Sequence, residues 1–130
     1  MAKVVPEDPF CGLAEASEIT KAPLQLDVLD TKEPTEAELT ALVRAAEEAA
    51  RAVKGVTNSN GADAGWGRSE FAMLASNGFY GCDAQAQAGG SGAGRAGEGT
   101  GMERDYDYSS TVYFSELADS VTLGRNAGAR

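Results

Sequence analysis

Residues 56–81 read VTNSNGADAGWGRSEFAMLASNGFYG, and this stretch decides the fold. Its two Asn-Gly pairs, Asn60-Gly61 and Asn77-Gly78, tolerate the positive φ angles that tight hairpin turns require. The apolar run at residues 71–75 is typical of a strand with one buried face. We therefore predict an antiparallel meander with turns near residues 67–70 and at Asn77-Gly78.

A long helix is predicted just before this stretch, from Thr35 to Val53. Thr35 follows a proline, and Glu38 stands three residues later, which is the spacing of a capping box. Gly55 is the expected stop signal beyond the last turn. Apolar residues recur at helical spacing and form one stripe: Leu39, Leu42, Val43, Ala46, Ala50 and Val53. The rest of the helix is largely polar, so one face is expected to be buried.

This stripe needs a partner surface, and the sequence suggests no second long helix. We expect the stripe to pack on the sheet face that bears Phe71, Met73 and either Tyr106 or Tyr108. A short helix is predicted after residue 119, capped by Asp119 or Ser120 and carrying an apolar pattern of Val121, Leu123 and Ala127.

Residues 88–101 are unusual, because seven of these fourteen residues are glycine. Gly92 to Gly97 match the letters of the GxGxxG dinucleotide-binding fingerprint. That fingerprint requires a buried strand before it and a helix after it, and neither is present. Alanine, glutamine and glycine are poor strand formers. We therefore expect no regular strand here and predict that residues 88–99 are mobile.

Residues 102–114 recover a strand pattern. Arg104, Tyr106 and Tyr108 alternate with acidic residues, so one face is aromatic and the other acidic. The acidic face, with Asp105 and Asp107, is expected to be solvated, although paired carboxylates can also bind calcium or serve a glycosidase. Tyr106 and Tyr108 are expected to be half-buried under the long helix. The alternative for Tyr106 and Tyr108 is a platform that contacts a peptide or stacks on bases. Trp66 has the same two interpretations, half-buried in the sheet or part of an interface.

All four prolines lie in residues 1–34. Proline removes a backbone donor and favours an extended conformation in the residue before it. We predict an extended arm over residues 1–34 and a helix-plus-sheet domain over residues 35–130. The arm has four candidate apolar anchors: Leu24, Leu26, Val28 and Leu29. The fold class is α+β, with one long helix packed on a mainly antiparallel sheet, an extended N-terminal arm and a short C-terminal helix.

Composition excludes several classes of function. The formal net charge of −9 argues against direct nucleic-acid binding, which needs a basic face. No apolar run approaches the length of a membrane span. Cys11 and Cys82 are far apart, which suits a reducing compartment such as the cytoplasm and leaves a disulfide between them open. The chain has no histidine, which removes Ser-His-Asp triads and HExxH zinc sites. No catalytic, cofactor-binding or metal-binding residue is predicted.

Four separated strings carry a resemblance that covers nearly the whole chain: VPEDPF (5–10), VTNSNGA (56–62), ASNGF (75–79) and GEGTGMERDYDYSS (97–110). In this order they resemble the TldD/PmbA family of two-subunit metallopeptidases, also known as modulators of DNA gyrase. The first string and MERDY (102–106) are most similar to the PmbA/TldE branch. The resemblance is to a fragment that covers the middle domain of a family member.

The resemblance implies a non-catalytic domain of a PmbA/TldE-like subunit. Such a subunit pairs with a TldD-like subunit, whose HExxxH helix binds zinc, and the complex degrades or matures peptides. The expected partners are a TldD-like subunit or the chain's own missing domains, with peptides reaching the domain through the complex. No cofactor is expected in this chain, and nucleic acid and membranes are not expected partners. The alternative is a stand-alone interaction module that acts on gyrase or another partner without catalysis.

Overall fold

A computed structural model describes residues 4–6, 8–22 and 24–130. Residues 1–3, Glu7 and Pro23, which belong to the predicted arm, lie outside these ranges. The order of elements is α1 (Glu36–Arg51), β1 (Val56–Leu74), β2 (Tyr80–Ala96), β3 (Glu103–Thr111) and α2 (Ser120–Ala129). The strands form one antiparallel sheet in the order β1-β2-β3. The predicted α+β class is therefore confirmed.

The chain divides into two compact units, each built from two segments. The first comprises Met1–Leu26 and Glu70–Asp83, and the second comprises Asp27–Ser69 and Ala84–Arg130. In the first unit, the side-chain amide of Asn77 donates a 2.8 Å hydrogen bond to the carbonyl of Ala14. The predicted division of the chain at residue 34 stays a prediction.

The turn predicted at Asn77-Gly78 is confirmed. Gly78 has a φ of +91°, and its amide donates to the carbonyl of Ala75 at 3.0 Å. The turn predicted near residues 67–70 is wrong, because β1 continues through it. Gly67 does not adopt the positive φ of a hairpin turn. Asn60-Gly61 also lies within β1, where the hydroxyl of Ser59 accepts the Gly61 amide at 2.9 Å, so the positive φ of Gly61 is accommodated inside the strand.

The start of α1 follows the predicted capping box. The Thr35 hydroxyl accepts the Glu38 amide, and the Glu38 carboxylate accepts the Thr35 amide at 2.7 Å. The Lys32 ammonium lies 2.7 Å from the same carboxylate. These contacts lower the pKa of Glu38 to about 2, and the hydrogen bond from Lys32 has the largest effect. The helix ends at Arg51, and Gly55, with a φ of +102°, redirects the chain into β1.

The short C-terminal helix, α2, begins with one of the two predicted caps, Asp119. Its carboxylate accepts the Thr122 amide at 2.8 Å. α1 packs against α2, and both helices lie on the sheet, but on the face opposite the one predicted for α1. The residues expected beneath α1 remain largely exposed: Phe71 53%, Met73 59%, Tyr106 61% and Tyr108 66%. The predicted short helix thus packs against part of the apolar stripe, at Ala46 and Ala50.

The two helices approach so closely that their backbones touch. A Cβ atom added to Gly124 would lie 2.0 Å from the carbonyl oxygen of Ala46. One added to Gly128 would lie 2.8 Å from the carbonyl oxygen of Ala50. Ala46 and Ala50 are themselves buried, so small side chains line both sides of the crossing. Close backbone approach, rather than large side chains, makes up this part of the core.

The glycine-rich segment is the central strand of the sheet, so the expectation that it would not form a regular strand is wrong. A Cβ atom on Gly92 would contact Ala46 and Gly124 at 3.4 Å, and one on Gly94 would lie 3.3 Å from the Ala127 carbonyl oxygen. The strand passes directly under the helix crossing, where larger side chains would not fit. Its composition reflects this close approach.

The mobility predicted for residues 88–99 must be revised accordingly. Hydrogen exchange is expected to be slow at β2 residues 88–94, comparable with residues 41–49 of α1, because these amides are in the central strand under two helices. The turn at residues 97–101 should exchange fast and serves as the internal control. Fast exchange throughout residues 88–94 would contradict the revision.

Two of the four predicted apolar anchors before α1, Val28 and Leu29, are half-buried, and polar contacts hold the same stretch. Leu24 and Leu26 are exposed, while the buried carboxylate of Asp30 accepts the Phe114 amide at 2.7 Å. The Val28 carbonyl accepts the Ala86 amide at 2.8 Å. This segment therefore lies against β2 and the chain after β3.

β3 ends at Thr111, and the chain then makes a 3-10 turn at Phe114–Glu116 instead of the predicted further strand. Tyr113 at this bend donates its hydroxyl to the Asp27 carboxylate. That hydrogen bond is the main reason why the pKa of Tyr113 is raised. Among the described residues, no helix combines the length and apolarity needed to cross a membrane.

Candidate functional site

The aromatic face of β3 is the open face of the sheet. The rings of Tyr106 and Tyr108 stack with centroids 6.3 Å apart and planes inclined by 26°. Both side chains are more than half exposed, so the interpretation that they are half-buried under α1 is wrong. The interface role predicted for Tyr106 and Tyr108 stays a prediction, and their exposure makes such a role sterically feasible.

The acidic face of β3 is the one that the C-terminal helix covers. Asp107 accepts a 2.8 Å hydrogen bond from the side-chain amide of Asn126, and an Arg130 nitrogen lies 3.6 Å from it. The Asn126 hydrogen bond, above all, lowers the pKa of Asp107. Only 17% of the Asp107 side chain is exposed. The prediction of a solvated acidic face therefore fails for Asp107, because α2 lies over it.

The backbone groups along the outer edge of β3 are bonded locally. The Tyr106 amide donates to the Asp105 carboxylate at 2.7 Å, and the Tyr108 amide donates to the Asp107 carboxylate at 3.1 Å. Arg130 donates to the Tyr106 carbonyl at 3.3 Å. These contacts leave little for an added strand to pair with over residues 106–108.

Trp66 is half-buried on β1, on the same side as Ala62 and Ala64. Its indole N–H is enclosed and has no hydrogen-bond partner within the described residues. Trp66 lines a depression of about 240 Å³ together with Gly65, Gly67, Ser69, Gln85, Ala86, Gln87 and Gly89. Its predicted interface role stays a prediction. Neither Tyr106 nor Tyr108 lines this depression.

A second depression, of about 370 Å³, lies on the open face beside Tyr106. Asp63 accepts the Ser91 hydroxyl at one side of it. Arg104 lines it as well, and the Arg95 guanidinium donates to the Asn60 side-chain oxygen at 2.7 Å. The sequence pointed to Asn60 only as a turn residue and to Arg104 only through its alternation with Tyr106 and Tyr108 along β3. It did not single out Asp63, Ser91 or Arg95.

The described residues bring no three His, Cys, Asp or Glu side chains together as a candidate metal site. Cys11 and Cys82 are both free and exposed, so no disulfide joins them. A hydrogen bond with Cys82 raises the pKa of the Tyr80 hydroxyl.

Comparisons with known proteins agree with the sequence resemblance. The family model described as the PmbA/TldA metallopeptidase central domain matches residues 29–130. A comparison with curated protein sequences finds no match.

Two solved structures share the fold, and both proteins are described as proposed modulators of DNA gyrase. The structure from Bacteroides thetaiotaomicron matches with a TM-score of 0.81 and 23% sequence identity. The match covers 96% of this chain and 29% of that chain. The structure from Thermotoga maritima matches with a TM-score of 0.75 and 11% sequence identity. The match covers 86% of this chain and 26% of that chain. The chain therefore spans less than a third of the length of either protein.

Proposed function

Because the chain belongs to the PmbA/TldA metallopeptidase family through its central domain, we propose that it is a non-catalytic domain of a PmbA/TldE-like subunit. The complete enzyme is a zinc metallopeptidase that degrades or matures peptides, and zinc is held by a TldD-like partner subunit. The observation that carries this proposal is the match of the central-domain model to residues 29–130. A cytoplasmic location is part of the proposal and is supported by two free cysteines.

The residues of this chain do not fit a zinc site. Zinc in proteins is bound by cysteine, histidine and carboxylate side chains that converge on one point. The chain has no histidine, and its described residues contain no cluster of three such ligands. We therefore assign no catalytic step to it. Its role is to supply the sheet, whose open face with Tyr106 and Tyr108 forms part of a cavity wall that contacts peptides.

Two measurements test this proposal. The pure chain, with or without added zinc, is expected to hydrolyse neither fluorogenic peptides nor casein, because it lacks a zinc-ligand set. Immobilised chain is expected to capture a TldD-like subunit from the same source, and the captured complex should show peptidase activity that a chelator abolishes.

Zinc-dependent turnover by the pure chain would contradict the non-catalytic role. Failure to capture a TldD-like subunit would contradict the subunit assignment. Capture of gyrase subunits in its place would favour the other interpretation, a stand-alone interaction module.

A further inference from the structure

The outer edge of β1 is open to another strand. β1 is the end strand of the sheet and runs without interruption from Val56 to Leu74. Its residues 67–74 are all exposed, and Phe71 and Met73 lie among them. A long, exposed edge that carries apolar side chains and no proline is a site at which a further strand adds.

The backbone groups that point outward from this edge belong to even-numbered residues. At the hairpin between β1 and β2, the Ala75 amide donates to the Phe79 carbonyl at 3.0 Å. In an antiparallel pair, such bonded residues alternate with residues whose backbone groups point away from the neighbouring strand. Odd-numbered residues before Ala75 therefore bond to β2, and the even-numbered ones point outward. Within the described part of the chain, the outward groups of Trp66 and Ala72 have no hydrogen-bond partner.

β1 is complementary to itself in one antiparallel register, which places Ser69 on a twofold axis. Arg68 is then opposite Glu70 of the second copy, and Glu70 is opposite its Arg68. A Cβ atom at Gly65 or Gly67 would meet nothing within 4 Å, so there is room above both glycines. In this register each large apolar side chain is opposite a small residue: Trp66 with Ala72, Phe71 with Gly67, Met73 with Gly65 and Leu74 with Ala64.

The energetics of cross-strand pairs favour this register over its neighbours. Opposite charges stabilise a cross-strand pair, and so does an aromatic ring that covers a strand glycine. The odd-numbered pairs are not hydrogen-bonded, so their side chains approach most closely, which allows Phe71 to cover Gly67. Moving the axis by one residue, to Arg68 or to Glu70, would place that residue opposite its own copy and bring like charges together.

A second copy therefore fits this edge better than the alternatives do. A strand of unrelated sequence would match neither the charges nor the alternation of large and small residues. The opposite edge of the sheet is a poor partner, because the Tyr106 and Tyr108 amides on β3 are already bonded to aspartates.

We propose that two copies of this chain associate through residues 64–74 of β1, with Ser69 on the twofold axis, so that their sheets join into one six-stranded sheet. The contact uses the same surface on both copies, as a twofold interface requires. The inference goes beyond the proposed function, which concerns a TldD-like subunit and peptides.

Sedimentation velocity of the 130-residue chain tests the association. It is run from about 1 to about 100 μM, in salt that screens the net charge of −9 over about 8 Å. A dimer is expected at the upper end. Arg68→Glu and Glu70→Arg should each weaken self-association at least about tenfold, because like charges then face each other twice. An equimolar mixture of the two variants should regain the dimer, since every pair across its interface is again of opposite charge.

A substitution of the backbone donor tests the strand pairing itself. Ala72→Pro removes an outward amide without removing a bond to β2, a change that an edge strand tolerates, and should leave the chain monomeric. Ala72→Ser keeps the amide at the same exposed position and is the matched control, which should remain dimeric.

A cysteine at the axis tests the register, with Cys11 and Cys82 replaced by serine. In a non-hydrogen-bonded pair the two Cα atoms are about 4.5 Å apart, which a disulfide can span. Ser69→Cys is therefore expected to form a disulfide-linked dimer with oxidised glutathione. Met73→Cys, on the same exposed edge but away from the axis, is the matched control and should stay unlinked.

Three results would overturn the inference. They are a monomer at every concentration, self-association that Ala72→Pro leaves unchanged, and equal linking of the Ser69→Cys and Met73→Cys variants. If a charge variant does not fold, as judged by circular dichroism, the two cysteine variants decide, because both replaced residues are exposed.

Discussion

Replacing Gly124 by alanine is expected to lower the free energy of unfolding by about 3 kcal/mol or more. The new Cβ atom would lie 2.0 Å from the carbonyl oxygen of Ala46, and both groups belong to helix backbones. Relief would require α1 and α2 to separate, which would also open the contact of both helices with Gly92. Alanine is the better helix former by about 1 kcal/mol, so the steric cost must exceed that gain.

A urea titration of the variant measures this loss. Gly67→Ala is the matched control, because a Cβ atom at Gly67 meets nothing within 4 Å and Gly67 does not have a positive φ. Its effect should stay within about 1 kcal/mol. A loss below about 1 kcal/mol for Gly124→Ala would mean that the helices do not cross at this distance.

Replacing Leu123 by alanine is expected to cost about 2–4 kcal/mol. Leu123 is 4% exposed and is the largest of the buried core side chains, most of which are alanines. Its removal would leave a cavity, and the other buried apolar residues are alanines, which have no alternative rotamer to fill it. In a domain of this size the loss is a large share of the total stability.

Val121→Ala is the matched control on the same helix, because Val121 is 38% exposed. It should cost less than about 1 kcal/mol. Both variants are compared with the unsubstituted chain by urea unfolding, with the slope of the transition checked for constancy. Equal losses for the two variants would show that α2 does not bury Leu123 in solution.

Capping and turn residues in the sequence predicted those parts of the fold that depend on residues close together in the chain. The capping box of Thr35 and Glu38 marked the start of α1, and Asp119 marked the start of α2. The Asn77-Gly78 pair marked the hairpin turn. In each case the hydrogen bonds that fix the element join residues no more than four positions apart, so the sequence contains the complete interaction.

The central strand was not predicted from the sequence, because strand propensities favour β-branched and aromatic side chains. β2 instead needs small residues where the two helices approach it. A usable signal exists in the sequence. The even-numbered positions from 86 to 94 are all alanine or glycine. Ala46 and Ala50 on α1, like Gly124 and Gly128 on α2, are spaced four residues apart, which places each pair on one helix face. Considered together, these patterns predict a close crossing of two helices over a strand.

The candidate site was predicted only in part, because it depends on contacts between residues that are far apart in the sequence. Alternation along β3 correctly separated Tyr106 and Tyr108 from Asp105 and Asp107. Which face is covered depends on α2, whose Asn126 binds Asp107 from nineteen residues away. Arg95 and Arg104 are directly opposite each other on β2 and β3, which depends on a strand register that the pattern of a single strand does not determine.

The bonded outer edge of β3 has a consequence for how copies of this protein can associate. An exposed strand edge is a template on which further strands add, and repeated addition leads to open-ended filaments. Here Asp105 and Asp107 accept the amides of Tyr106 and Tyr108, and Arg130 donates to the Tyr106 carbonyl, three of the groups that such a strand would need. Addition of a further strand at residues 106–108 is therefore disfavoured by three side chains of the same molecule, and the face that bears the tyrosines stays exposed.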